Sequence, residues 1–303
     1  MSQPVTVGVL THKRATAFEA MLNHLIVSID HYNGECFLFV INNSGKEENT
    51  QVRSIIERSG IKSTCSVRIM DSPINNISIG RNIILDNTHT KLLLFIDDDE
   101  YPNFDWITQL VKQYERCKTM AVAGPIEPIF PDSAPGWVRM IDLHNKENLK
   151  TGDTLSIAAT GNCILDLSQV KDVRLNPEDG LAGGEDTAFF HKLTSSGKVI
   201  TWCNEAIVQE SVSKERSTAR YMIFRFMKHG QMYKRVVLNK QSGIKLTLSL
   251  IRATFIAIIG IMIACFTLPF SDRLCSLWMK RGFTNLGKVI PISKPLYGWE
   301  GSY

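Results

Sequence analysis

Leu92-Leu93-Leu94-Phe95-Ile96-Asp97-Asp98-Asp99-Glu100 is a continuous apolar run that stops abruptly at four acids. A short run that is apolar at every position fits a strand buried on both faces. In sheets built of such strands, ligands sit beyond the carboxyl ends. The acids therefore fall where a site is expected. Alternate residues at a strand end point the same way, so Asp97 and Asp99 are expected to face one site. Carboxylates there suit a hard divalent cation, Mg²⁺ or Mn²⁺, which binds carboxylates and substrate phosphate oxygens together. The plain alternative is a solvated acidic loop capping a helix that begins near Asp105. The buried strand in front of the triplet favours the site.

Upstream, the pattern repeats. Val5–Leu10 reads as a strand, and Phe18, Met21, Leu22, Leu25, Ile26 and Ile29 recur at helical spacing. Cys36–Ile41 is a second buried strand, ending at the turn signal Asn42-Asn43-Ser44-Gly45. A polar helix is expected around Glu47–Arg58, a strand at Val67–Met70 and a helix from Ile79 to Leu85. Strands alternating with helices imply an α/β fold, a mostly parallel sheet with helices on both faces. The same rule of strand ends then adds Thr11–Arg14 and Asn42–Ser44 to the acids as candidate site loops.

Downstream, Met120–Ile126, Ser156–Leu165 and Val199–Cys203 read as strands and Glu185–Thr194 as a helix following Gly183-Gly184. Arg220–Val237 is a basic amphipathic helix. Ala253–Phe270 carries no charge, and as a helix it spans about 27 Å, near a bilayer's hydrocarbon thickness. Lys240, Lys245 and Arg252 precede it; Arg273, Lys280, Arg281, Lys288 and Lys294 follow. A full crossing would export a basic tail, against the positive-inside tendency. A helix that lies in the interface, or dips in and returns with Pro269 at the bend, keeps both flanks on one side. That monotopic reading is preferred to a buried core helix. The expected division is a catalytic domain over residues 1–240 and a basic, hydrophobic, membrane-associated tail over 241–303.

The formal net charge of +4 does not by itself point to nucleic acid, and none is expected as a partner. The seven cysteines are odd in number and none forms a CxxC pair. That pattern argues against a zinc site or a disulfide framework and for buried thiols in a reducing compartment. With no signal peptide at the start, the expected place is the cytoplasmic face of the cell membrane.

Three further clusters carry chemistry. Gly183-Gly184-Glu185-Asp186 combines close backbone approach with two acids at a helix start, where simple capping is the alternative. Arg81-Asn82 opens a helix shortly before the acidic strand, and Arg suits phosphate or carboxylate recognition, although in isolation an exposed helix arginine is the more ordinary reading. Glu210, in Val208-Gln209-Glu210 and followed by Arg216, alone would be a charged surface loop.

In combination these stretches resemble the family 2 glycosyltransferases, which have the GT-A (Rossmann-like) fold. The resemblance runs from Val5-Thr6-Val7-Gly8-Val9-Leu10-Thr11-His12-Lys13-Arg14 through Val40-Ile41-Asn42-Asn43-Ser44, Gly80-Arg81-Asn82 and Phe95–Glu100 to Thr160-Gly161-Asn162 and Gly183–Thr187, covering about residues 5–235. Gln209-Glu210, Arg216, Arg225 and Gly230 resemble the bacterial exopolysaccharide subgroup that includes succinoglycan-type glucosyltransferases.

The resemblance implies a nucleotide-sugar donor, with UDP the favoured nucleotide, and a saccharide acceptor, with a lipid-linked one fitting the membrane-associated tail. It implies that Thr11, Arg14 and Asn42 lie near the base and ribose and that Arg81 supports the nucleotide or its phosphates. Asp97, Asp98 and Asp99 contain the DxD motif, with Asp99 the direct metal ligand and Asp97 beside it. Asp186 matches the family's general base, acting in a single inverting displacement, and Glu185 contacts the acceptor. Gly161, Asn162, Gly184, Glu210 and Arg216 belong to the acceptor side or its loops.

Two positions depart from the pattern. Leu10-Thr11 stands where a Pro usually follows the first strand, and Gln209 where relatives often carry a metal-binding His. The second weakens the case for a third protein ligand. A catalytically inactive nucleotide-sugar-binding protein would have lost the acids or the base. A sugar nucleotidyltransferase would carry a glycine-rich loop where Thr11-His12-Lys13-Arg14 has none, and a haloacid-dehalogenase-type phosphatase would place its aspartates after the first strand.

Overall fold

The computed structural model describes residues 3–44, 46–63, 65–143, 148–170 and 172–290. The expected basic position Lys294 lies outside them. The described residues form two compact units, one of residues 3–127 and 148–210 and one of 128–143 and 211–290. The functional division expected at residue 240 falls inside the second.

In the first unit the chain runs β1 (Val5–Thr11), α1 (Ala15–His31), β2 (Cys36–Asn42), α2 (Lys46–Arg58), β3 (Ser66–Asp71), α3 (Ile77–Asn87) and β4 (Leu92–Asp97). After the short β5 (Glu100–Pro102) come α4 (Trp106–Cys117), β6 (Ala121–Ala123) and β7 (Ile126–Ile129). The single turn α5 (Gly136–Arg139) belongs to the second unit. The chain then returns through β8 (Thr154–Leu155), β9 (Asn162–Asp166), α6 (Leu167–Val170), α7 (Pro177–Ala182), α8 (Glu185–Ser195), β10 (Ile200–Trp202) and β11 (Val208–Ser211).

The main sheet has the order β3-β2-β1-β4-β9-β6-β10-β8. Its first four strands are parallel, as are β6 and β10; β9 runs antiparallel between β4 and β6. Helices cover both faces, and β4 shows why. Leu92, Leu94 and Ile96 join a core with Phe18, Met21 and Leu22 of α1, Ile55 of α2 and Trp106 of α4. Leu93 and Phe95 point the other way, into a core with Ile84 of α3 and Phe189 and Phe190 of α8. Two of the expected strands are interrupted. Met120–Ile126 breaks at Gly124-Pro125 into β6 and β7, and of Ser156–Leu165 only the part from Asn162 is strand.

The second unit is helical: α9 (Ala219–Val236), α10 (Gly243–Thr267) and α11 (Asp272–Val289). α11 packs against both α9 and α10, and a core of Trp137, Val138, Met222, Phe226 and Cys275 closes its far side. The uncharged run forms most of α10, which begins ten residues before it.

Candidate active site

The sheet alternation that fixes β4 ends at Asp97; Asp98 and Asp99 lie in the turn that follows. The three acids consequently divide between two cations, Asp98 and Asp99 on Arg14 and Asp97 on Arg81. Arg14, at the N-cap of α1, donates from Nη1 to Asp99 Oδ2 at 2.6 Å and to Asp98 Oδ1 at 3.2 Å. Thr11 Oγ1 donates to the other Asp98 oxygen at 2.8 Å, and the His12 backbone N–H reaches it at 3.3 Å. Asp98 is buried, and burial, opposed by Arg14, pushes its carboxyl up to about 7. Asp98 thus ties the loop after β1 to the loop after β4.

Asp97 turns to Arg81. The Arg81 guanidinium donates from Nη2 to Asp97 Oδ1 at 2.8 Å and from Nη1 to Glu185 Oε1 at 2.7 Å. Its side chain is 4% exposed, against 7% for Glu185 and 40% for Asp97. Burial alone would lower the arginine's pKa, but Asp97 and Glu185 outweigh it and the group titrates above its ordinary value. Gly80, which precedes Arg81, packs on the Leu10 side chain: a Cβ there would meet Leu10 Cδ1 at 2.3 Å, so a larger residue would have to displace that side chain. Asn76 starts the helix, accepting from the N–H groups of Ser78 and Ile79.

Gly183 and Gly184 have φ of +80° and +89°, a region L side chains avoid, and they turn the chain into α8. Glu185 and Asp186 occupy its first turn. Glu185 is buried, and burial, then Asp186, raises it to about 7 in spite of Arg81. Asp186 is half-buried; its Oδ1 accepts from Thr187 N at 2.6 Å and from Thr187 Oγ1 at 3.3 Å. Burial, opposed by Arg81, raises Asp186 too. Among the described residues its second oxygen has no hydrogen-bond partner, leaving it available to take a proton.

The remaining expected residues fall into supporting places. Asn42 is fully buried, donating to Asp71 Oδ1 at 2.8 Å while its own oxygen accepts from Ser44 N–H. Asn162 is a buried clamp. It donates to the carbonyls of Pro125 and Ala206 at 2.8 and 2.7 Å and accepts from Trp106 Nε1 at 2.8 Å. Gly161 packs on Glu100, whose Oε1 would lie 2.4 Å from any Cβ added there. Glu210 is buried on β11, registered opposite Glu100 of β5. Arg216 lies in the second unit, its Nε donating to Tyr221 Oη at 3.2 Å.

Glu100 was not singled out among the site residues by its sequence. It is buried and accepts from the Asp97 N–H at 3.1 Å, fixing the peptide at the end of β4. Burial, reinforced by Asp97, pushes it well above the ordinary glutamate range. Its place at the end of the acidic run was the available signal.

Among the described residues no three His, Cys, Asp or Glu side chains gather as a metal cage. A donor set of one or two carboxylates on the partly solvated rim, from Asp99 and Asp97, fits a cation whose remaining ligands are phosphate oxygens and water.

The family model described as "Glycosyl transferase family 2" matches residues 6–174. The succinoglycan biosynthesis protein ExoM of Rhizobium meliloti (strain 1021) is 27% identical over 243 residues, 80% of this chain and 77% of that one. Among solved structures, the mannosyltransferase PcManGT of Pyrobaculum calidifontis, in complex with GDP-Man and Mn²⁺, superposes with a TM-score of 0.64 at 13% identity, over 94% of this chain and 86% of that one. S. aureus TarS 1-349 in complex with UDP-GlcNAc superposes with a TM-score of 0.56 at 13% identity, over 94% and 90%. These likenesses establish a GT-A fold.

Proposed function

The chain belongs to glycosyl transferase family 2, and on that premise we propose that it is an inverting, divalent-metal-dependent transferase. It moves a sugar from a nucleotide-sugar, with UDP the favoured nucleotide, to a saccharide acceptor. The observation that carries the reading is the Arg81 bridge. It joins the donor-side Asp97 to the acceptor-side Glu185, at 2.8 and 2.7 Å, and so gathers acids 88 residues apart in sequence into one site.

In this reading Asp186 is the general base. Its second oxygen takes the acceptor hydroxyl's proton while its first stays fixed on Thr187. The acceptor oxygen forms a bond to the anomeric carbon as the bond to the diphosphate breaks, and positive charge develops on the sugar. Asp99, with Asp97 beside it, would hold a Mn²⁺ or Mg²⁺ ion, which would supply charge neutralisation for the leaving diphosphate. Thr11 and Asn42 order the loops near the nucleotide. Arg14 holds Asp98 and Asp99 in place, and Arg81 acts through the acids it positions rather than on the phosphates. The likeness to a succinoglycan biosynthesis protein supports a role in cell-surface polysaccharide assembly with a lipid-linked acceptor. α10, with a mean hydropathy of 2.3 over its most apolar 18 residues and 22% of that stretch buried, supports attachment to a membrane, and we place that attachment on the cytoplasmic face.

The test is transfer from a panel of UDP-sugars to a lipid-linked saccharide extract. Wild-type protein should release UDP only with acceptor and Mn²⁺ present, and the product's anomeric configuration should be inverted. UDP release that ignores the acceptor, or a product of retained configuration, would overturn the reading.

A further inference from the structure

α10 has no acidic residue, and its only charges are Lys245 and Arg252 near its start. It buries one narrow stripe, Ala253, Ala257, Gly260 and Ala264, and this stripe faces α11: a Cβ on Gly260 would lie 2.9 Å from Gly282 Cα. Apart from Lys245, Arg252, Thr247 and Thr254, the exposed remainder of its circumference is apolar. Leu248, Phe255, Ile258 and Phe266 are 61, 62, 54 and 74% exposed. A helix apolar nearly all round normally sits inside a core or across a membrane, whereas a helix lying in an interface has a polar face of its own.

α11 supplies the polar face that α10 lacks. It runs back along α10, and its charges Asp272, Arg273, Lys280, Arg281 and Lys288 extend from its first residue to its last turn. Neither end of the helix pair is free of charge. Insertion of the Pro269 turn would carry Asp272 and Arg273 into hydrocarbon, and a crossing would carry Lys280 and Arg281 there. Nor can α11 leave its own core to follow α10 into the bilayer. Cys275 is fully buried in the core with Trp137, Met222 and Phe226, and Ser276 Oγ donates to Met140 O at 3.0 Å.

We propose that α10 and α11 form one amphipathic two-helix element that lies flat on an anionic bilayer, with the apolar side chains of α10 at acyl depth, the Lys245 and Arg252 stems reaching up so that their charges stay at the headgroups, and α11 at the level of the headgroup phosphates. This rests on the membrane attachment proposed above and fixes its geometry: the chain neither crosses nor dips. Arg273 and Arg281, both exposed, meet the phosphates.

The experiment uses the full chain and places an environment-sensitive fluorophore at Leu248→Cys, at Ile258→Cys or at the native, exposed Cys265. The half-exposed Cys117 is replaced by Ser throughout, and Cys265 by Ser in the first two variants. Depth is read with lipids carrying nitroxides at known positions, in vesicles with and without phosphatidylglycerol. The three sites cover about 25 Å of helix axis. Equal depths, with binding weakened roughly tenfold or more by omitting the anionic lipid or by Arg273→Glu with Arg281→Glu, support the proposal. Depth increasing steadily to Cys265, or greatest at Ile258, overturns the flat geometry while leaving attachment intact. No vesicle binding, or labels shielded by self-association of the chain in the absence of lipid, overturns the attachment itself.

Discussion

Replacing Arg81 by methionine removes a cation that is 4% exposed and leaves Glu185, 7% exposed, without its partner. Breaking a buried ion pair from one side costs about 3–5 kcal/mol. Two features pull the figure to the lower end. Asp97 is 40% exposed, so its half of the bridge contributes little once solvent screens it. Glu185 already titrates at about 7 and can take up a proton when Arg81 goes. The expected loss is about 3 kcal/mol near neutral pH, or roughly 6–12 °C in the melting temperature of a unit this size. The assay is thermal unfolding followed by the fluorescence of the fully buried Trp106 and Trp202. Adding Glu185→Gln to the variant should recover at least half of the loss, because the stranded charge disappears. A direct phosphate ligand behaves differently: its removal weakens nucleotide binding strongly and leaves stability almost unchanged. A melting temperature within about 2 °C of wild type, together with weakened nucleotide binding, would refute the positioning role.

Three further outcomes follow from the same geometry. Asp186→Asn should retain donor binding and lose transfer by about 10²–10⁴-fold, the usual worth of a general base; normal turnover would remove Asp186 from that role. Gly184→Ala, at a φ of +89°, should cost about 1–2 kcal/mol and lower kcat more than donor affinity, checked by unfolding and by steady-state kinetics. pH should move stability and activity in opposite directions. Glu185 is raised to about 7 from an ordinary 4.5, so its contribution to stability is complete below the unfolded value and fades as pH rises through the folded one. The metal-free protein should lose on the order of 1–3 kcal/mol between these values, and Glu185→Gln should flatten the slope. Transfer instead needs Asp186 ionised, and Asp186 is raised as well, so the acid limb of the rate profile should lie above the ordinary aspartate range.

The half of the sheet that begins the chain was legible because β2 and β4 are unbroken apolar runs and β1 is apolar but for Thr6, each closed by a polar turn. The later strands were not. β9 lies between β4 and β6 and runs against both. Nothing local in Asn162–Asp166 announces that, since the pairing is decided by partners some 40–70 residues away. At the site, the residues were legible and their partners were not. Arg81 reads as one arginine on a helix; its buried guanidinium is matched by acids 16 and 104 residues away. Asp97 and Asp99 read as facing one site, yet Asp98 is the buried acid of the triplet, because the strand stops at Asp97 and the two acids that follow lie in the turn. Asn162 reads as a loop residue, but all three of its bonds are internal. A pattern of apolar residues records which face of an element is buried. It does not record which charges meet across the sheet.

The most direct test of the account is nucleotide binding by thermal shift. UDP, GDP, CDP and dTDP would be compared with and without Mn²⁺, on wild-type protein and on Asp99→Asn. The account predicts stabilisation by one nucleotide, with UDP favoured, that requires Mn²⁺ and vanishes in the variant. Folded wild-type protein that responds to none of the four, or a response that survives both metal removal and Asp99→Asn, would contradict it.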